Sequence, residues 1–162
     1  LLTRPWLIAA VLLLGVLWSL GLWVAAQRGE RSLTNDLLLV AQATVALPVA
    51  VAVVAGPAAV LGDLAWQTVQ ATVIVAGYLA GSVLHVKSLL REAGRPAFRR
   101  ADVAWHLALM NGAALASMWW LIGLAPALAR AILMRPGLRA GVVGAVELTV
   151  AVLVVITALL AL

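Results

Sequence analysis

The chain has 162 residues, 65% hydrophobic and 10% charged, whereas a soluble domain is roughly a quarter charged. That balance excludes a water-soluble globule and makes lipid the solvent of most of the chain. Cysteine is absent, which removes disulfides, thiolate metal sites and cysteine nucleophiles. The net charge of +5 comes from basic residues in short loops between apolar runs, a pattern of juxtamembrane anchoring and not of nucleic-acid binding.

Crossing a hydrocarbon core about 30 Å thick takes about 20 apolar residues in a helix. The first such run, 5–27, exceeds the apolar region of a signal peptide and has no small-residue cleavage site behind it. Runs 37–62, 64–86 and 103–129 are equally free of Asp, Glu, Lys and Arg, and run 140–162 is interrupted only by Glu147. Strands of a membrane barrel would alternate polar and apolar residues, and these runs do not. The expected fold is therefore all-α, a polytopic transmembrane helix bundle of about five spans forming a single transmembrane domain over 1–162. Because position 1 is Leu and the first span follows at once, the sequence is expected to be a fragment of a longer protein. Pro48 is a candidate kink in the second span, and Gly77 and Gly81 form a small-xxx-small pair able to admit a close neighbour.

The loops are unequal. Loops 28–36 and 87–102, separated by two spans, share one side and hold Arg28, Arg31, Lys87, Arg91, Arg95, Arg99 and Arg100. Arg4, Arg130, Arg135 and Arg139 fall on the other side of a five-span chain. The excess places the first and third loops in the cytoplasm and, with five spans, the C-terminus inside.

Polar residues within spans are costly and therefore informative. On a helical wheel Gln67, Tyr78 and His85 share one face of span three, with Glu92 joining if the helix continues. Asn35 and Gln42 share a face of span two, and Asp102, His106 and Ser117 one of span four. These define a candidate anion or anionic-lipid cluster of Arg28, Arg31, Asn35, Asp36, His85, Lys87, Arg91, Glu92 and His106, with Lys87 and Arg91 at i, i+4 spacing and the histidines as proton carriers. The plainer reading makes the cations topology anchors on lipid headgroups. Two histidines without carboxylates or thiols at ligand spacing make a poor metal site, and no cofactor is expected. Glu147, an intramembrane carboxylate, is either a proton or ion site or the partner of Arg139 or another arginine of that loop.

Phosphate-binding glycine loops, dinucleotide fingerprints, nucleophile elbows and His-Glu-x-x-His pairs are missing from the sequence. The segments Arg28-Gly29-Glu30-Arg31-Ser32-Leu33-Thr34-Asn35-Asp36 and Gly81-Ser82-Val83-Leu84-His85-Val86-Lys87-Ser88-Leu89-Leu90-Arg91-Glu92, followed by His106, resemble the YwiC-like family of bacterial integral membrane proteins. The similarity covers about residues 28–120. It implies a multi-pass protein of the bacterial plasma membrane and brings no reaction with it. The family's N-terminal Gln-His-Gly-Ala-Trp motif is missing from this sequence, in keeping with a fragment. Asn35-Asp36 has a superficial likeness to the magnesium-binding motifs of membrane prenyltransferases, but Leu39, Val40 and Ala43 stand where further carboxylates would be needed. Three functions compete: binding or transport of a small anion or anionic lipid; an enzyme acting on a lipid-phosphate or prenyl substrate, with His85 and Glu92 as acid-base pair; and a structural subunit of a membrane complex.

Overall fold

The computed structural model describes residues 5–29, 32–62 and 64–161. It is all-helical there: α1 (Trp6–Val24), α2 (Leu33–Ala55), α3 (Pro57–Leu61), α4 (Ala65–Val86), α5 (Pro96–Ala116), α6 (Trp120–Leu133) and α7 (Ala140–Ala161). Wide π-helical turns extend α1 over Ala25–Gly29 and α4 over Lys87–Arg91. Four helical stretches, Trp6–Gln27, Leu33–Ala55, Ala65–Arg91 and Ala140–Ala161, are long and apolar enough to cross a membrane. The protein is thus a multi-pass, all-α membrane protein.

Local chemistry explains the boundaries. Ser32 starts α2 by accepting a hydrogen bond from the Asn35 amide at 3.1 Å, satisfying one of the donors that a helix start leaves over. The helix passes through Pro48 without a break and ends at Gly56, whose φ of +89° suits glycine, with Pro57 opening α3.

The run 103–129 is not one helix but two. Ser117 is extended, with φ −165° and ψ 142°, and its hydroxyl accepts from the Trp119 amide at 3.3 Å. A serine that supplies the hydrogen bond a continuing helix would have made competes with that helix. Composition cannot reveal the break, because the residues on both sides remain apolar. Helix α5 also starts earlier than the run, at Pro96, and carries Arg99, Arg100 and Asp102 in its first turns.

The chain divides into two compact units, Leu1–Ala76 and Gly77–Leu162, with α4 running through the division. In the first, Gln42 of α2 donates to the Leu17 carbonyl of α1 at 3.1 Å, and Gly21 of α1 faces Gln42 and Asn35. The polar face of span two is therefore a helix-packing seam. In the second, α5 lies antiparallel against the end of α4, since Gly77 meets Leu109, Gly81 meets Trp105 and His106, and His85 meets Asp102. Trp105 Nε1 donates to the Gly77 carbonyl at 2.8 Å. Helix α6 returns along α5, Arg99 Nη2 reaching the Ile132 carbonyl at 2.8 Å. Helix α7 then runs antiparallel to α6, Gly123 against Thr157 and Val154 and Arg130 against Glu147.

The glycine pair does admit a close neighbour, and its two members differ. A Cβ on Gly81 would stand 2.8 Å from Trp105 Cδ1 and 3.0 Å from His106 Nε2, both on rigid rings. On Gly77 it would meet only the movable tip of Leu109, at 2.6 Å. Gly81→Ala is expected to cost about 1–3 kcal/mol and Gly77→Ala clearly less, by thermal unfolding of the purified protein in detergent. Equal losses would mean that the rings at Gly81 move as readily as the leucine tip.

Candidate functional site

The second unit buries a polar cluster drawn from all four of its helices. His85 is fully buried and Asp102 likewise, His106 and Arg130 nearly so. Charged groups in such surroundings persist only when paired and hydrogen-bonded.

Asp102 is the hub. Its carboxylate oxygen Oδ2 accepts from His85 Nδ1 at 2.8 Å and from the Ser88 hydroxyl at 3.0 Å, while His106 Nδ1 stands 3.1 Å from Oδ1. Two hydrogen-bond donors on one carboxylate favour its ionised form. Sequence makes the arrangement possible, because Asp102 and His106 stand one turn apart on α5 and His85 and Ser88 three residues apart on α4. The His106 Nδ1 also lies 2.9 Å from the Asp102 carbonyl, and the two imidazoles meet edge to face with centroids 6.2 Å apart.

Since His85 Nδ1 faces the carboxylate it acts as the donor, which leaves Nε2 as the proton-accepting nitrogen of the neutral ring. Nε2 is buried, has no hydrogen-bond partner among the described residues, and lies 3.9 Å from Glu147 Oε1. Glu147 is ion-paired with Arg130 and accepts a hydrogen bond from Ser82. Its backbone carbonyl accepts from the Tyr78 hydroxyl at 3.3 Å, and the Arg130 guanidinium stands 5.5 Å from the Tyr78 ring centre. A continuous series results: Asp102, His85, Glu147, Arg130, Tyr78.

Of the residues singled out from sequence, His85, His106 and Glu147 converge here. Tyr78 joins them from the stripe on span three, as does Asp102 from the face on span four. Glu147 does take an arginine from the preceding loop region, but it is Arg130, on the last turn of α6, and not Arg139. In the sequence Arg130 stands only as one of several loop arginines and Ser82 only within the segment of the family resemblance; the signal that points to Arg130 is a lone cation at the end of an apolar helix facing a lone carboxylate in the next. Glu92 does not extend the His85 face. The π turn widens the helix before it, and at φ −111° it leaves the helix and pairs with Arg95 at 3.0 Å. The carboxylate partner of His85 is therefore Asp102. Lys87 and Arg91 lie in the same π turn and differ in exposure, Lys87 being 8% exposed while Arg91 is exposed. Asn35 and Asp36 belong to the first unit, the backbone of Arg28 lies in the first π turn, and Arg31 with the side chain of Arg28 lies outside the described residues. Among the described residues no three His, Asp or Glu side chains gather as metal ligands.

No protein-family model, curated protein or solved structure matches this chain.

The Arg130–Glu147 pair yields a stability test. Removing one partner of a buried pair strands the other, at a cost of about 3–5 kcal/mol. Arg130→Met is expected to show a loss of that order in thermal unfolding, and Glu147→Gln added to it to restore most of the loss. Glu147→Lys, which sets a second cation beside Arg130, is expected to fold poorly. If the double variant is no more stable than Arg130→Met alone, Glu147 does not depend on that pair.

Proposed function

We propose that this is a proton-binding membrane protein in which His85 and Glu147 share one exchangeable proton. The observation that carries this reading is the placement of His85 between two carboxylates, with Nδ1 on Asp102 and Nε2 turned to Glu147 at 3.9 Å, in a ring with no exposed surface. A small anion, a lipid headgroup or a prenyl substrate would need room and solvent access beside the reacting groups. A proton needs neither.

A proton on the Glu147 carboxyl passes to His85 Nε2, while Nδ1–H stays on Asp102. Glu147 becomes a carboxylate held by Arg130 and Ser82, and His85 an imidazolium held by Asp102. Bringing Nε2 to hydrogen-bond distance takes about 1 Å of movement, within the reach of a side-chain rotation. The return transfer leaves Arg130 facing a neutral acid and weakens the tie between α6 and α7. Proton occupancy is thereby coupled to helix packing, which is what proton-driven membrane proteins require. Other groups facing the pair are Tyr78 and Ser82 on α4 and His106 on α5; Lys87, also buried, follows His85 by two residues. The bacterial plasma membrane and kinship with the YwiC-like family, carried by the segments around Ser32–Asp36 and Gly81–Glu92, are part of this proposal.

Protein reconstituted in nanodiscs is expected to take up a proton on acidification that depends on both His85 and Glu147. The uptake should be lost in His85→Gln and in Glu147→Gln and kept in Arg100→Gln, an exposed control. Potentiometric titration of the four proteins measures it, and uptake unchanged in both buried variants would rule the shared proton out.

A further inference from the structure

The division of the run 103–129 into α5 and α6 alters which loops share a side. Arg99, near the start of α5, reaches the Ile132 carbonyl near the end of α6, 33 residues later. The two helices therefore form an antiparallel hairpin whose outer ends lie together. Its tip, Ser117–Trp119, is at the far end, among the exposed side chains of Leu115, Met118, Trp119 and Ile122. Fourteen residues of α6 rise about 21 Å, less than the about 30 Å of a hydrocarbon core. Whatever depth the tip reaches, the chain comes back to the side it left.

From this hairpin we infer that the segment after α4 and the segment before α7 make one basic face that docks on anionic phospholipid headgroups. The face carries Arg91, Arg95 and Arg100 from the first segment and Arg135 and Arg139 from the second, all exposed, with Arg99 half-buried among them. Against these stands Glu92, engaged by Arg95 at 3.0 Å; the other acids of this end, Asp102 and Glu147, are turned inward to the histidines and Arg130. The hairpin thus has a cationic end and an apolar end, the polarity of an element seated in one leaflet with its base among the headgroups. A chain with a single span over 103–129 would instead place Arg135 and Arg139 opposite Arg95. The concentration of cations assigns the face to the cytoplasmic side, and sends the C-terminal end of α7 to the far side, opposite to what five spans imply. Anionic phospholipid is favoured over a soluble polyanion because the cations ring the base of an element whose other end is apolar.

The absence of cysteine makes the side of each segment directly readable. Single cysteines at Ala93 and at Leu138 are both expected to resist a membrane-impermeant maleimide in intact cells and to react in inside-out vesicles; labelling of one but not the other in intact cells overturns the hairpin topology. Lipid is read separately, from full-length protein in nanodiscs of phosphatidylcholine with a minor share of phosphatidylglycerol, by the enrichment of phosphatidylglycerol around the protein. Each of Arg95→Gln, Arg135→Gln and Arg139→Gln is expected to lower that enrichment about fivefold or less, and the triple variant to abolish it, with thermal unfolding unchanged. Enrichment unaffected in the triple variant, or displaced equally by millimolar inorganic phosphate, overturns the lipid assignment.

Discussion

Lipid gives a buried carboxylate nothing to bond with, so a chain that places Glu147 in an apolar helix must bring a partner to it. Arg130 is that partner, and much of the second unit follows from the need to deliver it. Helix α6 has to return along α5 and end beside α7, which the break at Ser117 allows. A single helix through 103–129 would carry Arg130 to the opposite end of the bundle. The close approach of α5 to α4 at Gly77 and Gly81 serves the same end, because it sets Asp102 and His106 level with His85. Small residues at the contact and an ion pair in the interior are thus two parts of one packing solution.

The fold class was legible in composition and run length, since only lipid-embedded helices combine so much apolar sequence with so little charge. Close packing at Gly77 and Gly81 was legible in their spacing, and the faces shared by Tyr78 and His85 and by Asp102 and His106 in helical periodicity. Two things were hidden for identifiable reasons. A serine break inside an apolar run leaves no mark on hydropathy, so α5 and α6 read as one span. A π turn shifts every side chain beyond it by a fraction of a turn, so an ideal wheel carried Glu92 onto the His85 face. The pairing of Asp102 with His85 joins residues 17 apart in sequence, which needs the packing of α4 on α5, not the pattern of either helix. Cations at loop positions drew attention to the surface, whereas the interior cluster is built from residues that each look unexceptional alone.

The buried cluster and the basic face meet in the last turn of α6. That turn ends with backbone carbonyls that have no partner within the helix, and Arg99 from α5 binds one of them, at Ile132. Two residues earlier the same turn holds Arg130 against Glu147. One turn of helix is therefore tied on its outer side to an arginine of the basic face and on its inner side to the carboxylate proposed to share a proton with His85. When Glu147 is neutral the inner tie loses its Coulombic part, while the outer tie, a charge-assisted hydrogen bond to a carbonyl, is unaffected. The last turn of α6 is then held mainly by Arg99. Under the proposed reading, an interior protonation event would reach the basic face through a single turn, with no movement of a whole helix required, and the direction of that coupling would be set by which tie the proton removes.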